Sequence, residues 1–280
     1  MNEKAKALKN KKHYKFSDLC DIITLLRSDD GCPWDKEQTH ASIRSNLIEE
    51  TYEAVEAIDK NDMKLLREEL GDVMLQIVFH AEMERERGVF DINDVIDDIC
   101  KKLVLRHPHI FGDVVADTSE EVLSNWDAIK AEEKERNTIS DKLRSVPAPL
   151  PALMRADKLG RISRKAGFDF TSAEDAFLKI GEEAAEVQEA LSSGDVAAIT
   201  NEIGDLLLAV VNTARLAGVD SERALNIACE KYIQRFEALE SELAKKGVTP
   251  EELSQDELDA EWNEAKKKCT YNVDKMHKKH

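Results

Sequence analysis

The sequence is poor in the residues that form turns and β structure. Its 280 residues include only 11 glycines and 6 prolines. So few chain-breaking residues favour long helices over a turn-rich β fold. No apolar run approaches the 18 residues expected of a membrane-spanning helix, and the lysine-rich start lacks the apolar core of a secretory signal. We therefore expect an all-α protein without a membrane span.

Other absences limit the chemistry. The five cysteines are odd in number and form no CxxC pair, which suits reduced thiols in a cytoplasm. The chain has no P-loop, no GxGxxG motif and no evident Ser-His-Asp or Cys-His nucleophile pattern. His40 and His80 are isolated, so we expect each to be a core or surface residue.

The formal net charge of −17 argues against a general nucleic-acid binder and against a membrane-surface binder. A small anionic substrate stays possible, because a bound metal ion can invert the local electrostatic field.

Acidic residues at helical spacing are abundant, and one arrangement of them stands out. Glu50 and Glu53 are three residues apart, and so are Glu69 and Asp72. Residues at this spacing share one face of a helix, and like charges there repel each other. Two facing pairs would need a cation between them. Carboxylate oxygens without nearby histidine or cysteine suit Mg²⁺ or Mn²⁺.

The arrangement occurs again 133 positions later, as in 183 minus 50 and 205 minus 72. The second set consists of Glu183, Glu186, Glu202 and Asp205. An apolar pattern repeats at the same offset: Val73, Met74, Ile77, Val78 and Ala81 match Leu206, Leu207, Val210, Val211 and Ala214. A single acidic helix face is usually solvated surface, but a duplicated face in register is hard to explain in that way.

A glycine precedes each aspartate, at Gly71 and Gly204. Glycine in a helix interior costs about 1 kcal/mol relative to alanine. We therefore predict a close backbone approach or a tight helix crossing at both positions.

Basic residues and tryptophans also recur, in the same order, after each acidic set. The first group is Lys102, Arg106, Trp126 and Lys130, and the second is Lys231, Arg235, Trp262 and Lys266. Each of these residues could simply be solvated or packed, and shared folding constraints would repeat as well. Together with a carboxylate-bound metal ion, however, they could hold a polyphosphate and stack on a base. The pattern indicates metal-assisted attack of water on a phosphoanhydride.

The prolines between residues 145 and 151 predict a stiff connector between two domains. We expect an N-terminal helical domain at 16–144, a C-terminal helical domain at 152–268 and a flexible tail at 269–280. Residues 1–15 are expected to be frayed. Helices are predicted at about 16–26, 45–58, 63–87, 92–106, 119–136, 152–165, 172–191, 195–216, 221–246 and 256–268.

The EExxE pattern, followed sixteen residues later by ExxD, resembles that of the all-α nucleoside triphosphate pyrophosphohydrolases. The resemblance spans about residues 16–268. Besides the two acidic sets, it includes the stretches 31–39, 106–111, 151–156 and 167–170.

The resemblance implies Mg²⁺-dependent hydrolysis of nucleoside triphosphates to monophosphate and pyrophosphate, by a homodimer of tandem helical domains. It implies catalytic metal ligands at Glu183, Glu186, Glu202 and Asp205, and substrate contacts at Lys231, Arg235, Trp262 and Lys266. The equivalent positions in the first repeat are Glu50, Glu53, Glu69, Asp72, Lys102, Arg106, Trp126 and Lys130. In members with two repeats, the second usually carries the main activity.

Three other interpretations remain open at this point. A base-selective dUTP or dCTP diphosphatase would share the same motifs, because base choice depends on pocket shape. A non-catalytic acidic helical protein could dock a basic partner, although it would not need the repeated basic residues and tryptophans. A di-iron bundle would require Glu-x-x-His pairs, and neither acidic set contains one.

Overall fold

The computed structural model describes residues 3–133 and 138–268, and all regular elements in these residues are helices. The predicted all-α fold is confirmed. The described chain forms two compact units, one up to Lys130 and one from Ala131.

The first unit is built around a hairpin of two long helices, α4 and α5. The turn between them ends at Asp62, whose carboxylate accepts hydrogen bonds from the backbone N–H groups of Lys64 and Leu65 and so caps α5. Helices α2 and α6 pack against α5. The helices are α1 (Glu3–Lys9), α2 (Phe16–Arg27), α3 (Pro33–Glu37), α4 (Arg44–Asp59), α5 (Met63–Glu86), α6 (Ile92–Arg106), α7 (Pro108–Phe111) and α8 (Ser119–Glu133).

The second unit contains the corresponding hairpin, formed by α11 and α12. Gly194, in the left-handed conformation at φ 70°, ends α11, and the Asp195 side chain caps α12. Helix α10 packs against α12 and α13, and α14 packs against α13. The helices are α9 (Ile139–Arg144), α10 (Ala152–Lys165), α11 (Ala173–Ser193), α12 (Val196–Leu216), α13 (Ser221–Lys246) and α14 (Gln255–Lys268), with a 3₁₀ turn at Pro250–Glu252.

In each unit, a buried arginine forms hydrogen bonds that hold neighbouring segments together. In the first unit, Arg27 donates two hydrogen bonds of 2.8 Å to the Glu86 carboxylate and others to the backbone carbonyls of Asp35 and Gln38. In the second unit, Arg215 donates to both carboxylate oxygens of Asp169. Bidentate arginine–carboxylate pairs fix both orientation and distance, so the first pair joins the ends of α2 and α5 and the second holds the loop before α11 against α12.

Parts of the chain differ from the sequence-based expectation. Residues 3–9 form a helix where fraying was expected. The two units divide at residues 130 and 131, and not within 145–151. Helix α9 packs on α10 and Val146 is buried, so the proline-containing stretch belongs to the packed structure of the second unit. The predicted tail at 269–280 and the predicted end of α8 beyond residue 133 lie outside the described residues.

Within the described residues, the close approach predicted at Gly71 and Gly204 is not present. A Cβ atom added at either glycine would meet no described atom within 4 Å. The side of the helix that each glycine leaves bare therefore faces open space. The contrasting case is Gly160, where an added Cβ would lie 2.7 Å from Arg215 Nε and 2.9 Å from Asn212 Oδ1.

Helices α5 and α12 expose apolar residues at matching positions of the repeat. Val78 and Val211 are buried in the single chain. The exposed residues form what we call the apolar stripes: Leu70, Met74 and Ile77 on α5, and Ile203, Leu207 and Val210 on α12, all between 42% and 52% exposed.

Helix α12 is also the one described helix that is long and apolar enough to cross a membrane, judged by length and composition alone. The sequence had not led us to expect such a helix. A single helix of this kind is weak evidence for a membrane, and α12 carries Glu202, Asp205 and Arg215, which are costly in lipid.

The glycine geometry makes a first testable prediction. Gly204→Ala should raise the free energy of unfolding by up to about 1 kcal/mol, because alanine is the better helix former and its methyl group meets no described atom. Gly160→Ala, the matched control, should lower it because Arg215 would have to move. Chemical denaturation measures both changes. A Gly204→Ala chain that is less stable than the wild type would show that another molecule covers this face.

Candidate metal centres in the two helical hairpins

Each hairpin gathers three carboxylates at one place. In the first unit, Glu50 of α4 meets Glu69 and Asp72 of α5, and one oxygen from each lies within 4.8 Å of the other two. In the second unit, the group is Glu183 and Glu186 of α11 with Glu202 of α12, within the same distance. The antiparallel helices thus convert two separate stretches of sequence into one acidic cluster.

One predicted ligand in each repeat lies outside its cluster. In the first unit this residue is Glu53, which is exposed but near enough to raise the pKa of both Glu50 and Glu69. In the second unit it is Asp205, which is exposed. The structure therefore brings together three of the four predicted ligands in each repeat, and the outlying residue is not the equivalent one.

Burial and mutual repulsion strain the first cluster. The pKa of Glu69 is raised chiefly by loss of solvation and then by Glu53, Asp72 and Glu50. Loss of solvation and the charge on Asp72 likewise raise the pKa of Glu50. Several carboxylates held this close favour either a proton or a cation among them.

The second cluster contains a cation of its own. Lys179 Nζ lies 2.9 Å from Glu182 Oε2 and 2.9 Å from Glu183 Oε1. The Lys179 side chain lowers the pKa of Glu183, while the charge on Glu183 raises the pKa of Glu186. Glu183 Oε2, on the other side of that carboxylate, is buried without a hydrogen-bond partner among the described residues. An unsatisfied buried oxygen beside two further carboxylates fits a hard divalent cation.

Sequence reasoning missed Lys179, although a signal was present. It precedes Glu183 by one helical turn, where residues four apart are neighbours. The equivalent residue of the first repeat is Asn46, at 179 minus 133. The two clusters therefore share their carboxylates but differ in the charge beside them.

The predicted substrate residues of the second unit lie together on α13 and α14. The Trp262 ring packs 5.1 Å from Tyr232 and 6.5 Å from Phe236, measured between ring centroids. Lys266 Nζ lies 5.9 Å from the Trp262 ring centroid. Lys231 and Arg235 are half-buried on α13, and Arg235 Nε is buried without a hydrogen-bond partner among the described residues.

The first unit forms a similar cluster with one substitution. The Arg106 guanidinium lies 5.4 Å from the Trp126 ring centroid, and the His107 ring meets Trp126 edge-on at 4.9 Å. Lys102 is exposed and Lys130 is half-buried. At the repeat offset of 129, His107 corresponds to Phe236, so a titratable ring in one repeat replaces an apolar ring in the other. Sequence reasoning missed His107, Tyr232 and Phe236 as members of these clusters. The available signal was that each directly follows a predicted basic residue.

Comparison with known proteins supports the duplication. A model of the MazG nucleotide pyrophosphohydrolase domain matches residues 38–111 and again residues 171–239. Each match contains one complete acidic set. Trp126 and Trp262 lie outside the matched segments.

Curated relatives cover most of the chain. It is 42% identical over 251 residues to a Thermotoga maritima protein named nucleoside triphosphate pyrophosphohydrolase/pyrophosphatase MazG. The aligned residues make up 90% of this chain and 95% of that protein. It is 41% identical over 252 residues to a nucleoside triphosphate pyrophosphohydrolase of Escherichia coli K12, covering 89% of this chain and 96% of that protein.

A third relative, the uncharacterized protein YabN of Bacillus subtilis, is 42% identical over 255 residues, which are 91% of this chain but 52% of that protein. Two domain matches and this level of identity agree with the paired acidic hairpins, so the chain belongs to the MazG nucleotide pyrophosphohydrolase family.

Proposed function

We propose that the chain hydrolyses nucleoside triphosphates to nucleoside monophosphate and pyrophosphate, as a house-cleaning enzyme of the nucleotide pool. The observation that carries this proposal is the three-carboxylate cluster in each hairpin of a family whose curated members are named nucleoside triphosphate pyrophosphohydrolases. We further propose that the reaction takes place in the cytoplasm and depends on Mg²⁺, which Mn²⁺ can replace.

Glu183, Glu186 and Glu202 would hold the metal ion in the second unit, with the unsatisfied oxygen of Glu183 as one ligand atom. When bound, the ion supplies positive charge for the phosphates and acidifies a coordinated water. Asp205 lies outside the cluster but on the same helix as Glu202, which leaves its carboxylate available to orient or deprotonate the attacking water. It could also become a ligand through a change of rotamer.

The cluster on α13 and α14 supports a triphosphate substrate of broad base specificity. Lys231, Arg235 and Lys266 offer positive charge for the phosphates. Tyr232, Phe236 and Trp262 offer aromatic surface on which any base can stack, because stacking uses the face of a base and not its edge. Stacking of this kind depends neither on the edge of the base nor on the sugar. It therefore favours a broad range of ribo- and deoxyribonucleotides over nucleotides of one selected base.

A homodimer would cover the apolar stripes. Three residues on α5 and three on α12 are exposed at matching positions, and spacings of three and four residues place each trio on one helix face. Contiguous exposed apolar surface of this kind marks an interaction site. A second copy of the chain is the partner we propose, because the same pattern appears on both repeats and would suit a symmetric interface.

We propose that the second unit performs most of the hydrolysis. Its cluster contains Lys179, which partly neutralises the carboxylates and would offer positive charge for a phosphate beside them. The first unit has the neutral Asn46 at this position.

Two equivalent glutamates test the metal requirement and the ranking of the units together. We expect Glu183→Gln to lower kcat by at least the roughly 10- to 100-fold that loss of a metal-supporting residue costs. The matched change Glu50→Gln should leave most of the activity. Release of pyrophosphate from the eight common nucleoside triphosphates, with Mg²⁺ and with excess chelator, is the measurement. Equal losses would contradict the ranking, full activity in chelator would contradict the metal, and orthophosphate as the product would contradict the reaction.

The Lys179 ion pair predicts a pH-dependent stability. Because Lys179 lowers the pKa of Glu183, the pair stabilises the folded chain at neutral pH, and this contribution is lost as the pH falls through the lowered pKa. Lys179→Met should therefore lower Tm in metal-free buffer at pH 7, by an amount that shrinks at acid pH. The reciprocal change Asn46→Lys should raise Tm, since it places a cation one turn before Glu50. Thermal scans across pH check both; a difference that grows at acid pH would contradict the assignment.

The proposed dimer is tested by charging a stripe. Leu207→Glu should shift the chain towards monomer at micromolar concentration, because it places a charge in the covered apolar surface. Val115→Glu changes a more exposed apolar residue outside both stripes and serves as the control. Sedimentation velocity reports the mass. A wild-type monomer, or a Leu207→Glu dimer as stable as the control, would exclude this interface.

A further inference from the structure

The two histidines that are isolated in the sequence contact each other in the structure, with His40 exposed and His80 half-buried. His40, in the turn before α4, lies edge to edge with His80 of α5, with ring centroids 5.0 Å apart and an interplanar angle of 9°. Their Nδ1 atoms are 2.7 Å apart. His40 Nε2 lies 2.6 Å from Glu84 Oε1, and Glu84 is also bound by Arg87 at 2.7 Å.

Hydrogen bonding fixes which nitrogen of His40 carries a proton. Glu84 is buried, and its pKa is lowered first by His40 and also by Arg87, so it is an ionised acceptor. His40 Nε2 is then the donor to Glu84, so His40 faces His80 through its Nδ1 atom. Burial and His40 lower the pKa of His80, which favours its neutral form. A proton between the two Nδ1 atoms joins the rings.

We propose that His40 and His80 form a second type of metal site, which binds Zn²⁺ or a related transition-metal ion through the two Nδ1 atoms. Imidazole nitrogens prefer Zn²⁺, Cu²⁺ or Ni²⁺ to Mg²⁺, so the site and the carboxylate clusters select different ions. Glu84 supplies the carboxylate that commonly receives the other N–H of a metal-binding histidine.

Binding needs the pair to open and one ring to rotate, because the two Nδ1 atoms face each other head-on. Two nitrogens at about 2.0–2.1 Å from a tetrahedral zinc ion are about 3.3 Å apart, so the pair must open by roughly half an ångström. His40 can move, since it lies in a turn and its side chain is 45% exposed. The proton between the two Nδ1 atoms leaves to solvent when the ion binds, so that both lone pairs face the metal. Water completes the coordination, which makes the site weaker than a four-ligand structural zinc site.

The site is separate from the carboxylate cluster of the same unit. His80 follows Asp72 by eight residues on α5, which at 1.5 Å per residue is about 12 Å along the helix. A bound ion would join the turn that contains His40 to α5. Because this turn leads into α4, the ion would stabilise the entry to the acidic hairpin without contacting its carboxylates.

Zinc titration in excess Mg²⁺ tests the proposal, because Mg²⁺ occupies the carboxylates and leaves the imidazoles free. We expect the wild-type chain to take one equivalent of Zn²⁺ from a chromophoric indicator and to gain thermal stability. His40→Gln and His80→Gln should abolish this binding, and Glu84→Gln should weaken it roughly 10- to 100-fold. His13→Gln and the double change His277→Gln, His280→Gln control for the other isolated and C-terminal histidines.

A measurement on the wild-type chain keeps the test independent of whether the variants fold. In a long-range ¹H–¹⁵N spectrum of the seven histidine rings, substoichiometric Zn²⁺ should shift two rings of one coupled pair, and these signals should be missing in His40→Gln or His80→Gln. Unchanged rings in the wild type would overturn the proposal. So would folded His40→Gln and His80→Gln chains that bind Zn²⁺ as the wild type does, or a loss confined to the His277, His280 variant.

Discussion

Repulsion among carboxylates is the interaction on which the two hairpins depend. Antiparallel helices place Glu50, Glu69 and Asp72 in one cluster, and loss of solvation together with neighbouring charge raises the pKa of Glu50 and Glu69. The cluster persists because helix caps and apolar packing elsewhere hold the hairpin closed. Carboxylates held this close favour a proton or a cation among them, which makes the acidic clusters candidate metal centres.

The two repeats differ in the residues that lie beside their acidic and aromatic clusters. In the second unit, Lys179 neutralises part of the cluster and lowers the pKa of Glu183. The first unit has Asn46 in that place, and it has His107 where the second has Phe236. The two substitutions therefore place different charges and ring types beside otherwise matching residues.

Two features of the structure do not follow from any local pattern in the sequence. The apolar stripes, which include Leu207 and Val210, remain exposed after the chain has folded. His40 and His80, which are 40 positions apart in the chain, lie within hydrogen-bond distance of each other, and His40 also contacts Glu84. Both features arise because packing of helices within a unit decides which residues meet and which stay uncovered.

The sequence by itself determined the helical class, the duplication and the residue types of both clusters, because helical periodicity and a constant offset are local properties of the chain. The caps at Asp62 and Asp195 are also local features, because their side chains bond to backbone N–H groups two or three residues away. Only the tertiary structure decided which three carboxylates converge, that Lys179 joins them, and that the space beside Gly204 is open. These depend on the distance and rotation between packed helices, which periodicity within a single helix does not define.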